Sequence, residues 1–194
     1  VMAEATNHYF KHLGVSDGLS QVCIPSIYQD ELGAVWLGTT EGLNRYNGKD
    51  VKVFQPSESN HGLTNNEINE LCGDKNGRMY IRSGNDLIKL DIYTEQFTCL
   101  RQKGVYGLFC KKDTLWVSCA DGIYYYTGQG TELTFFARVQ KGFVGRALYV
   151  DKETVWVVTR KYLVAISRED PLRQEILLTL DKGNCILGDS SGNI

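Results

Sequence analysis

A segment of this chain repeats at a fixed distance. Gly18-Leu19-Ser20 returns forty-four residues later as Gly62-Leu63-Thr64. The same offset carries Asp30 to Asp74, Gly33 to Gly77, Trp36 to Tyr80, Leu43 to Leu87 and Arg45 to Lys89. A register held without a gap is an internal repeat, and it limits the chain to folds assembled from copies of one small unit. Within the unit, Leu32-Gly33 makes a tight turn and 35–39 is a β-favouring run around one tryptophan. Thr40-Glu41-Gly42 turns back, and 43–46 returns as a strand. One such hairpin is marginal in water, because nothing covers its apolar face. The copies must therefore stack on one another.

Two further copies are shorter at the first turn. Leu115-Trp116-Val117 and Val155-Trp156-Val157 align with Val35-Trp36-Leu37, and Asp121-Gly122-Ile123 aligns with Glu41-Gly42-Leu43. The aromatic anchors are then Trp36, Tyr80, Trp116 and Trp156, spaced 44, 36 and 40 residues apart. Each copy has one apolar strand before its hairpin (22–28, 68–72, 105–110, 147–150) and one after it (51–54, 95–100, 133–137, 175–180). No sustained helical periodicity is present. Four strands per unit at a period near ~40 residues predict an all-β propeller segment rather than a helical solenoid or a sandwich of unrelated strands. The expected blades cover roughly 18–56, 62–101, 104–137 and 143–180, with the start of a fifth at 183–194. In such a stack each anchor ring is buried between neighbouring sheets.

The turns carry their own signature. Asp30 with Gly33 and Asp74 with Gly77 read as turns capped by a carboxylate, with glycine supplying positive φ; Gly42 and Gly122 serve the return turns. Asp74-Lys75-Asn76-Gly77 lacks the alternating oxygen ligands of a calcium loop. His8 and His12 stand at i, i+4 but without the glutamate of a zinc-helix motif, and 8–13 reads as an edge strand. His61 falls in a polar linker. No metal or cofactor is expected.

A net charge of −2 gives no reason to expect nucleic acid or an anionic membrane as partner. No apolar run approaches the ~18 residues of a membrane span. Val1-Met2-Ala3 has the small-residue look of the end of an export signal. The six cysteines, Cys23, Cys72, Cys99, Cys110, Cys119 and Cys185, show no C-x-x-C spacing. They read as buried free thiols; a disulfide between neighbouring strands stays open, and the sequence does not pair them.

The repeat is similar to a known one. Gly18-Leu19-Ser20, Ile27-Tyr28-Gln29-Asp30, Gly33-Ala34-Val35-Trp36-Leu37-Gly38-Thr39 and Gly42-Leu43-Asn44-Arg45-Tyr46-Asn47-Gly48 closely resemble the two-component regulator propeller repeat. The second copy departs with Tyr80 for tryptophan and Arg82-Ser83 for Gly38-Thr39; the fourth has Arg160-Lys161-Tyr162 at the glycine turn. The resemblance implies the periplasmic sensor region of a Bacteroides-type hybrid two-component histidine kinase, of which this chain would be an N-terminal piece. It also implies carbohydrate breakdown products as the signal. The partners would be an oligosaccharide, the remaining blades and the downstream domains of the same receptor.

No catalytic constellation is present: there is no G-x-S-x-G, no Walker A and no complete dinucleotide fingerprint. Arg45, Lys89 and Tyr124-Tyr125-Tyr126 are the groups that could meet a sugar, with Tyr125 the candidate contact because alternation leaves one ring of the triplet outside the core. The expected function is a non-catalytic sensor module. The alternatives are a propeller scaffold for protein–protein contacts and, behind it, a propeller lyase or glycosidase. An unclosed ring exposes apolar faces and strand edges, so self-association is expected.

Overall fold

Runs rich in Val, Ile, Tyr and Trp, broken by short turns bearing Asp and Gly, form antiparallel strands because branched and aromatic side chains pack well on a pleated surface. The computed structural model describes residues 12–56, 62–140 and 143–189. Among these, one 3-10 turn at Val15–Asp17 precedes four sheets of four strands. The first is β1 (Ser26–Gln29), β2 (Val35–Thr39), β3 (Gly42–Tyr46) and β4 (Val51–Phe54). The second is β5 (Ile68–Gly73), β6 (Arg78–Ser83), β7 (Asp86–Asp91) and β8 (Gln96–Arg101). The third is β9 (Val105–Lys111), β10 (Thr114–Cys119), β11 (Gly122–Tyr126) and β12 (Thr134–Ala137). The fourth is β13 (Gly145–Val150), β14 (Thr154–Thr159), β15 (Tyr162–Ser167) and β16 (Gln174–Thr179). Each sheet is a simple meander. Their first strands lie side by side, β1 by β5, β5 by β9 and β9 by β13, so the sheets array as propeller blades.

Alternation along the second strand of each blade explains how the blades stack. On β6, Met79 and Ile81 face the first sheet and join a cluster with Trp36, Leu43 and Phe54. Tyr80, between them, turns the other way and packs with Val105, Leu115 and Val117 of the third sheet. On β10, Leu115 and Val117 face back while Trp116 faces forward, onto Leu148, Val155 and Val157 of the fourth. Side chains of opposite parity thus serve opposite interfaces, which is why these strands are apolar at nearly every position. Trp36 and Tyr80 are wholly buried and Trp116 nearly so. Trp156 is only half-buried. It points away from the third sheet, and no further sheet covers it among the described residues.

Several expectations need correction. The first strand begins at Ser26 rather than at 22, because Pro25 has no N–H to give to a ladder. Cys23 consequently lies outside the sheet and is exposed, as is Cys185; Cys119 alone is fully buried. Residues 183–189 form no strand, and 190–194 lie outside the described residues. The expected edge strand at 8–13 falls mostly outside them, as does His61.

The two ends of the blades are held differently. At one end, Asp30 Oδ1 accepts from the N–H groups of Leu32 and Ala34, and Asp74 Oδ1 from those of Asn76 and Arg78. Gly33 and Gly77 have φ of 86° and 83° there. At the opposite end, backbone bonds stitch blade to blade. Gly42 N–H donates to Asn66 and Gly84 N–H to Glu67, so one connector is tied to the return turns of both blades it joins. The next connector repeats the arrangement, with Val105 N–H to Asn85 and Ala120 N–H to Gly104. In the fourth blade Thr159 Oγ1 accepts from the N–H groups of Lys161 and Tyr162, much as Thr39 Oγ1 accepts from Glu41 in the first.

Candidate functional site

The first strand of a blade is not perfectly regular. In β5 the register with β6 shifts between Ile68 and Glu70, leaving Asn69 unopposed. In β9 it shifts so that Val105 and Gly107 have partners on β10 and Tyr106 has none. In β13 it shifts between Gly145 and Ala147, leaving Arg146 unopposed. These are β-bulges at the same place in three consecutive blades, all at the stitched end. A bulge re-aims a side chain, and bulges concentrate beside functional sites.

Two of the bulged side chains share a cleft. Tyr106 and Arg146 line a hollow of about 340 Å³ together with Phe143, Arg160 and Lys161. β9 and β13 can come this close because Gly107 has no Cβ; one placed there would sit 2.7 Å from the Arg146 carbonyl oxygen. Tyr106 is 37% exposed, and Phe143 lies against Tyr162 with ring centroids 4.8 Å apart. Arg146, Arg160 and Lys161 are exposed, and none has a carboxylate partner among the described residues. The cleft therefore offers two aromatic faces and three uncompensated cations. Such a set can stack on a ring and hold an anionic substituent through charge-assisted hydrogen bonds. No carboxylate, histidine or thiol lines it.

Other depressions lack this combination. On the opposite end, a hollow of about 380 Å³ holds Lys111, Lys112, Lys152 and Arg168 beside Trp116, with the carboxylates of Asp113 and Asp151 in the same lining. There Lys111 Nζ donates to the Val150 carbonyl, and Arg168 Nη1 donates to those of Asp151 and Lys152, so two of its cations are engaged. A larger hollow of about 490 Å³ on the fourth sheet sets Glu153 and Glu175 against Arg173 and has no aromatic ring. Next to the Asn69 bulge, burial pushes the Glu70 carboxyl above its usual range, although Arg82, at 3.3 Å, and the Leu108 N–H partly offset it.

The residues singled out in the sequence go elsewhere. Tyr125 is half-buried against Trp116, centroids 5.6 Å apart, and does not line the cleft. Tyr126 is in the core, and Tyr124 stacks edge-on with Phe135 beneath Arg101. Arg45 is paired with Glu95 at 3.0 Å and lies over Trp36; Lys89 donates to the Tyr126 hydroxyl. The turn residues Asp30, Gly33, Asp74 and Gly77 lie at one end, and Gly42 and Gly122 at the other, with Asp30 and Asp74 buried. Tyr106 and Arg146 carried no sequence signal, because a bulge exists only in the pairing of two strands.

Comparison with known proteins agrees with this architecture. The family profile described as two component regulator propeller matches residues 18–41. Over 53 residues the chain is 40% identical to histidine kinase P4 of Formosa agariphila, a match that covers 27% of this chain and 4% of that protein. The extracellular domain of BT3049 from B. thetaiotaomicron, described as a hybrid two component system, superposes with a TM-score of 0.74 at 21% identity. The match covers 87% of this chain and 26% of that one. The extracellular domain of BT4673 from the same organism, described as a one component system, gives 0.77 at 18% identity, over 97% of this chain and 30% of that one. The chain thus spans under a third of these solved domains and a small fraction of the kinase. By its repeat the chain is similar to the two-component regulator propeller, and its four sheets array as the blades of a propeller.

Proposed function

We propose that the chain is part of the extracytoplasmic sensor region of a two-component signalling receptor, and that this region responds to carbohydrate. The observation that carries the reading is the Tyr106–Arg146 cleft in a chain with this repeat. Bulged residues from two adjacent blades, Phe143 and two further cations form a hollow of a size suited to a sugar ring. Aromatic faces stack on the apolar side of a pyranose, and unpaired guanidinium groups bind carboxylate or sulfate, so the favoured ligand is an acidic oligosaccharide. The lining holds no carboxylate, histidine or thiol, which fits binding rather than turnover.

Titration calorimetry on the extracytoplasmic region containing this chain, against neutral and acidic oligosaccharides, tests the reading. Binding of an acidic glycan that weakens roughly tenfold or more in Arg146→Ala and Arg160→Ala is the expected result. No heat with any glycan, with capture of a protein partner instead, would overturn it in favour of a scaffold.

A further inference from the structure

Two of the six cysteines meet. Cys72 on β5 and Cys110 on β9 belong to the first strands of neighbouring blades, and their sulfurs are 2.6 Å apart. Both pack against the apolar cluster between the second and third sheets. Each sits in the regularly paired part of its strand, Cys72 opposite Tyr80 and Cys110 opposite Leu115. The other four cysteines have no sulfur contact among the described residues. Sulfurs so placed need little movement to reach the disulfide bonding distance of ~2.05 Å.

We propose that Cys72 and Cys110 form a disulfide that joins the second blade to the third. The oxidant is a small or protein disulfide of the glutathione class. The thiolate of one cysteine attacks a sulfur of the oxidant; a mixed disulfide forms, the oxidant's own S–S bond breaks, and one thiol leaves. The thiolate of the other cysteine then attacks the protein sulfur of the mixed disulfide and expels the second thiol. Two protons leave the cysteines and two electrons pass to the oxidant. Burial, reinforced by the neighbouring Cys110 thiol, holds the Cys72 thiol well above its usual range in the closed structure. The resulting loop encloses β6, β7 and β8 and most of β9. The pairing follows from geometry and stands apart from the ligand reading.

The test is to reduce and unfold the full chain, refold it in a glutathione buffer poised near the potential of an oxidising compartment (roughly −180 to −210 mV), alkylate the remaining thiols and map peptides by mass. A linked peptide pair containing Cys72 and Cys110, lighter by two hydrogens, with the other four cysteines alkylated, is expected. Both residues alkylated, or either joined to a different cysteine, overturns the proposal. Reducing the linked protein should lower its melting temperature by roughly 5–15 °C. The Cys72→Ala, Cys110→Ala double variant should show no such shift, and a shift that persists in it would equally refute the link. The peptide map on the unmodified chain decides the matter should that variant not fold.

Discussion

Trp36 Nε1 donates to Asp30 Oδ2 at 2.7 Å, and both side chains are buried. The other oxygen of the same carboxylate holds the turn that precedes Trp36. One acidic side chain therefore fixes both the corner and the ring that wedges into the next blade. The fourth blade repeats the device, with Trp156 Nε1 donating to Asp151 Oδ2 at 2.7 Å. In the second blade, where Tyr80 offers no indole, Arg78 Nε takes the place on Asp74 Oδ2. Asp30→Ala should cost about 2–4 kcal/mol, since it strands several buried donors. Trp36→Phe combined with it should show a coupling of about 1.5–3 kcal/mol in urea unfolding; additive losses would mean the bond contributes nothing of its own.

Position in the stack should set the cost of removing an anchor. Trp36→Ala and Trp116→Ala empty interfaces covered on both sides and should each cost about 3–5 kcal/mol. Trp156 is half-buried, so Trp156→Ala should cost only about 1–2 kcal/mol. Thermal melts of the three variants give the order directly, and equal losses would contradict it.

Tyr80 is the weak copy of the anchor. Its ring is buried and packs edge-on to Tyr126, but its hydroxyl is buried without a hydrogen-bond partner. Tyr80→Phe removes an unsatisfied polar atom at nearly constant shape. It should leave stability unchanged or raise it by up to ~1 kcal/mol, as read by denaturant midpoint.

Close approach between blades depends on Gly38. A Cβ there would lie 2.9 Å from the Ile68 carbonyl oxygen and 2.8 Å from its Cγ2. Gly38→Ala should therefore push the first and second blades apart and cost about 1–3 kcal/mol. An unchanged melting temperature would show that the interface can give way freely.

Two carboxylates should make stability depend on pH in opposite senses. For Asp151, burial opposes ionisation, but the Trp156 indole, the N–H groups of Glu153 and Thr154 and the Lys111 charge outweigh it and hold the carboxyl below its ordinary value of 3.8. Its contribution is complete above that value and is lost as pH falls through the folded-state pKa. For Glu70 the folded pKa is raised, so the native state binds the proton more tightly, and stability declines as pH rises above 4.5 towards the folded value. Melting curves across acid pH should show Asp151→Asn flattening the low-pH loss, and Glu70→Gln flattening the decline on the other side.

The architecture was legible in the sequence because blade stacking imposes a long-range register on residues that tolerate little change. Trp36 and Tyr80, or Asp30 and Asp74, recur at one spacing because each must meet the same neighbour. The indole–carboxylate bond was legible only in hindsight: Asp30 and Trp36 are six residues apart, Asp151 and Trp156 five, and the differing turn lengths hid the pairing. Alternation put Tyr125 outside the innermost core but could not foretell how far it is covered: it is half-buried against Trp116, which Phe136 of a later strand also packs on. The cleft was invisible because Tyr106 and Arg146 owe their positions to slips in pairing, which no one-dimensional pattern records.

Connectors at the cleft end are sewn to both flanking blades mainly through main-chain atoms, helped by a few side chains such as Ser83 and Asp86, and none of these bonds uses the side chains at 106, 146 or 160. Exchanges at 106, 146 or 160 can accumulate without unpicking a seam. The opposite rim has no such latitude, because its corners are written in aspartate. A lineage of these proteins could thus vary the chemistry of one rim by drift, while the other preserves the shape of the blades.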